Sequence, residues 1–70
     1  MIDRCLVIDI GNTRTKAAHF QEAEIRGRYA FGSGEFLSRP ELWDTLPGGF
    51  PTALASVRPL PEQFLDFLSG

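Results

Sequence analysis

This chain has little of what most dedicated chemistry requires. Its 70 residues hold one cysteine, Cys5, and one histidine, His19. A lone thiol cannot build an internal disulfide framework. Lying in the apolar run Cys5-Leu6-Val7-Ile8, it reads as a small core residue of a reducing compartment and, being buried, as a poor nucleophile. His19 has no second histidine or cysteine at ligand spacing, so it reads as a satisfied or exposed side chain and not as a zinc ligand. Ser56 lacks a surrounding Gly-x-Ser-x-Gly, and the single histidine is remote from it in sequence, which removes the hydrolase reading. Basic charge is also scarce. Seven Lys and Arg against nine Asp and Glu leave a net charge of −2, the wrong sign for a nucleic-acid surface. Arg26 and Arg28, alternating with Ile25, Gly27 and Tyr29, read as a solvated strand edge. The first apolar run is cut by Asp9 and is too short for a secretory core, and no window approaches the roughly 20 apolar residues of a spanning helix. Internal repeats and low-complexity segments are missing as well. A cytoplasmic protein that contacts neither membrane nor nucleic acid is expected.

What is present is an ordinary globular composition, 43% hydrophobic and 23% charged. The pattern predicts a βββαβα order. Residues 4 to 10 are nearly all apolar, as for a strand covered on both faces. Residues 15 to 21 form a second strand, Gln21 to Glu24 a polar turn, and residues 25 to 31 a third strand with Ile25, Gly27, Tyr29 and Phe31 on one face. Gly32-Ser33-Gly34 breaks the pattern. Ser38 with Glu41 has capping-box spacing and Pro40 suits a first helical turn, so a short helix is expected to about Leu46. Pro47-Gly48-Gly49-Phe50-Pro51 makes a loop, residues 52 to 57 a fourth, buried strand, and the tail from Glu62 a helix with Phe64, Leu65 and Leu68 at helical spacing. Aromatic residues are spread over five elements, which favours core filling over a base-stacking surface.

The informative stretch is Asp9-Ile10-Gly11-Asn12-Thr13-Arg14-Thr15-Lys16. It places a carboxylate, a glycine, small hydrogen-bonding side chains and a lysine in one turn between two strands. Gly11, lacking a Cβ and tolerating positive φ, lets the backbone approach phosphate oxygens. Asn12 and Thr13 can donate to those oxygens. Asp9 can hold magnesium directly or through its waters, and Lys16, the only lysine of the chain, can set a point charge against a phosphate. Taken singly, each residue is better explained as hairpin chemistry. The combination is what a hairpin alone leaves unexplained: an aspartate ending a run that reads as buried on both faces is costly without a partner.

Asp9-Ile10-Gly11-Asn12-Thr13-x-x-Lys16 resembles the first phosphate motif of the type III pantothenate kinases, members of the sugar kinase, Hsp70 and actin superfamily. Ala55-Ser56-Val57-Arg58-Pro59 is similar to that family's Ser-Val-x-Pro segment. The resemblance implies the N-terminal part of an RNase H-like, actin-like ATPase domain over residues 1–70. It implies ATP with magnesium and a monovalent cation, potassium or ammonium, and phosphorylation of pantothenate as the first step towards coenzyme A. Asp9 would orient the metal. Gly11, Asn12, Thr13 and Lys16 would cradle phosphates and Arg14 and Thr15 would shape the turn, with Ile10 also counted among the nucleotide-binding residues. A full-length relative would be a homodimer with pantothenate at the subunit boundary.

Family kinases are several times longer, and their Gly-x-Asp-Arg segment and catalytic aspartate have no counterpart here. Neither Asp44 nor Asp66 stands in a matching context. The expectation is therefore an N-terminal portion, inactive alone, with no catalytic base before Gly70. Two alternatives stand beside it: another actin-like-fold kinase or nucleotide switch, and a small non-catalytic α/β interaction domain. A chain of this size buries only about 60% of its unfolded surface. Exposed sheet edges and a weakly cooperative thermal transition, with a tendency to aggregate, are expected. Calorimetry and light scattering check this, and a sharp two-state melt of a monodisperse monomer would contradict the fragment expectation.

Overall fold

In the computed structural model, which describes residues 4–49 and 51–69, three consecutive strands make an antiparallel meander. They are β1 (Arg4–Ile10), β2 (Arg14–Gln21) and β3 (Glu24–Gly32). The chain then crosses one face of this sheet as α1 (Ser33–Ser38) and a 3₁₀ helix (Pro40–Thr45). It returns as β4 (Thr52–Ser56) parallel to β1, and ends in α2 (Glu62–Ser69). The strand order is β3-β2-β1-β4. The result is an α/β unit with a mixed four-stranded sheet. Phe50 of the expected 47–51 loop, and Met1 and Asp3 ahead of β1, lie outside the described residues. No helix among the described residues is long and apolar enough to cross a membrane.

The core lies on one side of the sheet. Leu6, Ile8 and Ile10 of β1 and Ala17 of β2 are buried under Phe36 of α1, Trp43 and Leu46 of the 3₁₀ segment, and Phe64 of α2. The aromatic rings interlock there. Phe36 and Phe64 meet edge-on at 5.4 Å and Trp43 and Phe64 at 5.0 Å, in the geometries that ring quadrupoles favour. The indole Nε1 of Trp43 donates to the Phe36 carbonyl at 2.6 Å, so its polar atom is buried with a partner. Phe36, Trp43 and Phe64 are core filling, as the sequence suggests, whereas Phe67 of α2 is exposed.

Several expectations are corrected. β1 is not covered on both faces: the Cys5, Val7 and Asp9 side is open, and Val7 is exposed. Cys5 is accordingly a half-buried residue of the open face, not a core thiol. β4 is not buried. All five of its residues are exposed, because β4 is a sheet edge with no second layer on its outer side. Leu65 of α2 is exposed too, with Phe64 facing the core.

Helix starts also differ. Gly32-Ser33-Gly34 does end the strand pattern, β3 stopping at Gly32, but it leads directly into α1, because Ser33 is anchored by tertiary bonds described below. The Ser38–Glu41 capping box does not form. Ser38 Oγ turns back to the carbonyls of Gly34 and Glu35, and the 3₁₀ segment has no side-chain cap. Pro40 does occupy a first-turn position. A register shift between His19 and Phe20 leaves Arg26 as an extra residue opposite that step, so that Phe20 pairs with Ile25. One added residue inverts the face alternation. Ile25 therefore lies on the open face, not with Gly27, Tyr29 and Phe31. Among the described residues Arg26 pairs with Glu24, at 3.5 Å and in solvent, an exposed contact of small energetic value.

The β2–β3 turn is a two-residue hairpin in which Glu22 (φ 53°) and Ala23 (φ 65°) both adopt the left-handed conformation. This mirror-image turn matches strand twist but suits glycine or asparagine, and each L-residue there is strained by about 1 kcal/mol or more. Ala23→Gly is expected to raise stability by roughly 0.5–1 kcal/mol. A higher urea midpoint at unchanged slope would verify this; an equal or lower midpoint would refute it.

Candidate functional site

The stretch from Asp9 to Lys16 folds as the end of β1, a tight turn and the start of β2. The Gly11 N–H donates to the Arg14 carbonyl at 2.9 Å, closing the turn. Gly11 is required here by that approach and not by positive φ: a Cβ on residue 11 would stand 3.0 Å from the same carbonyl oxygen. Asn12 and Thr13 are exposed at the tip, and among the described residues their N–H groups make no backbone hydrogen bond. Two donors are thus left for an anion.

One residue holds the turn from behind. Ser33, fully buried at the start of α1, donates its N–H to the Thr13 carbonyl at 2.9 Å and its hydroxyl to the Gly11 carbonyl at 2.8 Å. Thr15 Oγ1, also fully buried, lies 2.8 Å from Ser33 Oγ. A serine hydroxyl has one proton. Since Ser33 gives it to Gly11, Thr15 donates to Ser33. Sequence reading missed Ser33 because Gly-Ser-Gly looks like a simple break, and its only signal was a serine directly after a strand.

The eight candidate residues divide between the two faces. Asp9 and Lys16 are direct cross-strand neighbours on the open face, both exposed. Among the described residues neither forms an ion pair. They border a shallow depression of about 490 Å³ whose walls include Val7, Ala18, Ile25 and Arg28. Arg28 is a cation that sequence reading assigned to a solvated edge. Ile10 and Thr15 point the other way and are fully buried, so they can build the turn but cannot touch a ligand on the open face. Arg14 is exposed beside Asn12 and Thr13.

The second segment singled out in the sequence comes to the same place. β1 and β4 are parallel, so their carboxyl ends coincide. The Val57 N–H donates to the Ile10 carbonyl at 3.0 Å, and the Arg58 guanidinium makes a long contact, 3.4 Å, with the Asn12 carbonyl. Ser56 Oγ fastens this exit, donating to the Arg58 carbonyl and accepting from the Arg58 N–H. Asp44 and Asp66 belong to the helices packed on the covered face, across the sheet from Asp9.

No group of three His, Cys, Asp or Glu side chains converges among the described residues. Asp9 alone would have to hold a cation. One exposed carboxylate fits magnesium, which keeps several waters and shares its shell with substrate phosphates. No protein-family model matches this chain, and neither curated proteins nor solved structures give a match.

Ser33→Ala is expected to cost about 1–3 kcal/mol, since it strips Thr15 of its acceptor inside the core. Adding Thr15→Val should cost much less than its single-variant effect, giving a coupled double-mutant cycle in chemical denaturation. Additive losses would show that the hydroxyl pair is not the lock described.

Proposed function

We propose that this chain supplies the nucleotide-phosphate portion of a type III pantothenate kinase, within an RNase H-like, actin-like fold. The carrying observation is the meeting of the two resembling segments, which lie more than forty residues apart: Val57 on Ile10, and Arg58 on Asn12. In open α/β sheets ligands sit outside the carboxyl ends of strands, and the turn, whose Asn12 and Thr13 N–H groups make no backbone hydrogen bond among the described residues, lies there.

In this reading Asp9 orients magnesium through its waters. Asn12 and Thr13 donate to phosphate oxygens, Gly11 keeps the turn tight, and Lys16 supplies a point charge. ATP, when bound, provides the transferable phosphoryl group. Such reactions depend mostly on positioning and on charge neutralisation. The hydroxyl group attacked would be that of pantothenate, with a monovalent cation assisting, in a cytoplasmic homodimer. None of the residues described here is assigned as the base, so phosphorylation of pantothenate by the 70-residue chain alone is not expected.

Calorimetric titration with ATP, with and without magnesium, tests the proposal. Magnesium-dependent binding is expected, weakened about tenfold by Lys16→Ala, the loss of one charged phosphate contact of about 1.4 kcal/mol. Asp9→Asn should abolish the difference between the magnesium and magnesium-free titrations. Absence of magnesium-dependent binding, or indifference to Lys16→Ala, would favour a non-catalytic interaction domain.

A further inference from the structure

Strand register separates two arginines that look alike in the sequence. β2 and β3 set Lys16 opposite Ala30 and Ala18 opposite Arg28. These four residues are the corners of one square on the open face, with the cations on one diagonal and the alanines on the other. All four line the depression beside Asp9. Arg26, two residues before Arg28, is the extra residue of the bulge. It has no partner on β2, does not line the depression and pairs with Glu24.

Diagonal cross-strand neighbours stand about 7–8 Å apart, within reach of long side chains. Lysine and arginine tips at that spacing can close on one tetrahedral anion from two sides, and the alanine methyls leave room between them. Without an anion the two like charges repel. Among the described residues neither Lys16 nor Arg28 forms a salt bridge. Asp9 faces Lys16 from β1, on the side of β2 away from β3. With Asp9 committed to magnesium, the two cations make a local excess of positive charge on a chain whose net charge is −2.

We propose that, given the phosphate reading of the Asp9–Lys16 turn, on which this rests, Arg28 is a second phosphate-binding residue that closes with Lys16 on one phosphate group of the nucleotide. It comes from β3, outside both of the segments that resemble kinase motifs. Lysine supplies a point charge, whereas a guanidinium can bind two phosphate oxygens at once. Arg28 therefore adds orientation as well as charge.

Calorimetric titrations of the 70-residue chain with magnesium–ATP and with magnesium–tripolyphosphate, which has no base, test the assignment. Arg28→Gln is expected to weaken both ligands about tenfold, and Arg26→Gln to weaken neither. Arg28→Lys should recover only part of the loss. In the double variant of Lys16→Ala with Arg28→Gln, the loss should fall short of the product of the single losses, because both cations hold the same phosphate. Circular dichroism of each variant shows that the fold is kept. Magnesium-dependent binding that needs Lys16 but ignores Arg28→Gln would overturn the role of Arg28 and leave the turn reading standing. An equal loss in Arg26→Gln would overturn it too, by showing only a diffuse charge effect. So would a loss with ATP and none with tripolyphosphate, which would put the base, and not a phosphate, on Arg28. Absence of magnesium-dependent binding by the unaltered chain would overturn both readings together.

Discussion

The chain of hydroxyl bonds from Thr15 through Ser33 to the Gly11 carbonyl is the contact on which both the fold and the candidate site depend. Thr15 and Ser33 are the only fully buried polar side chains among the described residues. A buried hydroxyl without a partner costs about 1–3 kcal/mol, so the two must be brought together or neither can be inside. Meeting that condition fixes where α1 begins and which way it leaves β3. It also ties down the turn that bears Asn12 and Thr13. A six-residue helix without a side-chain cap has little stability of its own. Here tertiary anchoring of its first residue takes the place of a cap.

From that anchor follows the one-sided architecture. α1 starts against the turn and places Phe36 over β1, where Trp43 and Phe64 complete the aromatic layer. All the helical elements are committed to this face. The opposite face keeps Val7, Asp9, Lys16, Ala18, Ile25 and Arg28 around a shallow depression. Asp9 and Lys16 are therefore reachable from solvent. The buried face serves only to hold them in register.

How much of this was legible in the sequence depended on whether the signal was local. Strand positions and the final helix follow from apolar periodicity, and β1 and α2 begin where the pattern places them. The Asp9–Lys16 turn was visible as a glycine between two apolar runs. What failed was tertiary. Apolarity of β1 was read as burial on both faces, but alternation cannot tell a covered face from an open apolar one. The bulge at Arg26 has no residue signature, so Ile25 was assigned to the wrong face. The helix at Ser33 was missed because its start is set by a bond to Thr13, twenty residues earlier. Site residues divided in the same way: the residue types pointed to the turn, but only the structure separates outward Asp9 and Lys16 from inward Ile10 and Thr15.

The two exposed features of the molecule, the turn and the β4 edge, are mechanically joined. Val57 leaves β4 by donating to Ile10, the last residue before the turn, and Ser56 braces Arg58 under Asn12. An edge strand with one neighbour is held along one side only, and its backbone bonds are among the easiest to open. The turn is rigid on the Ser33 side already. Its other support is only as firm as β4, so the firmness of that strand also sets how well the turn is ordered.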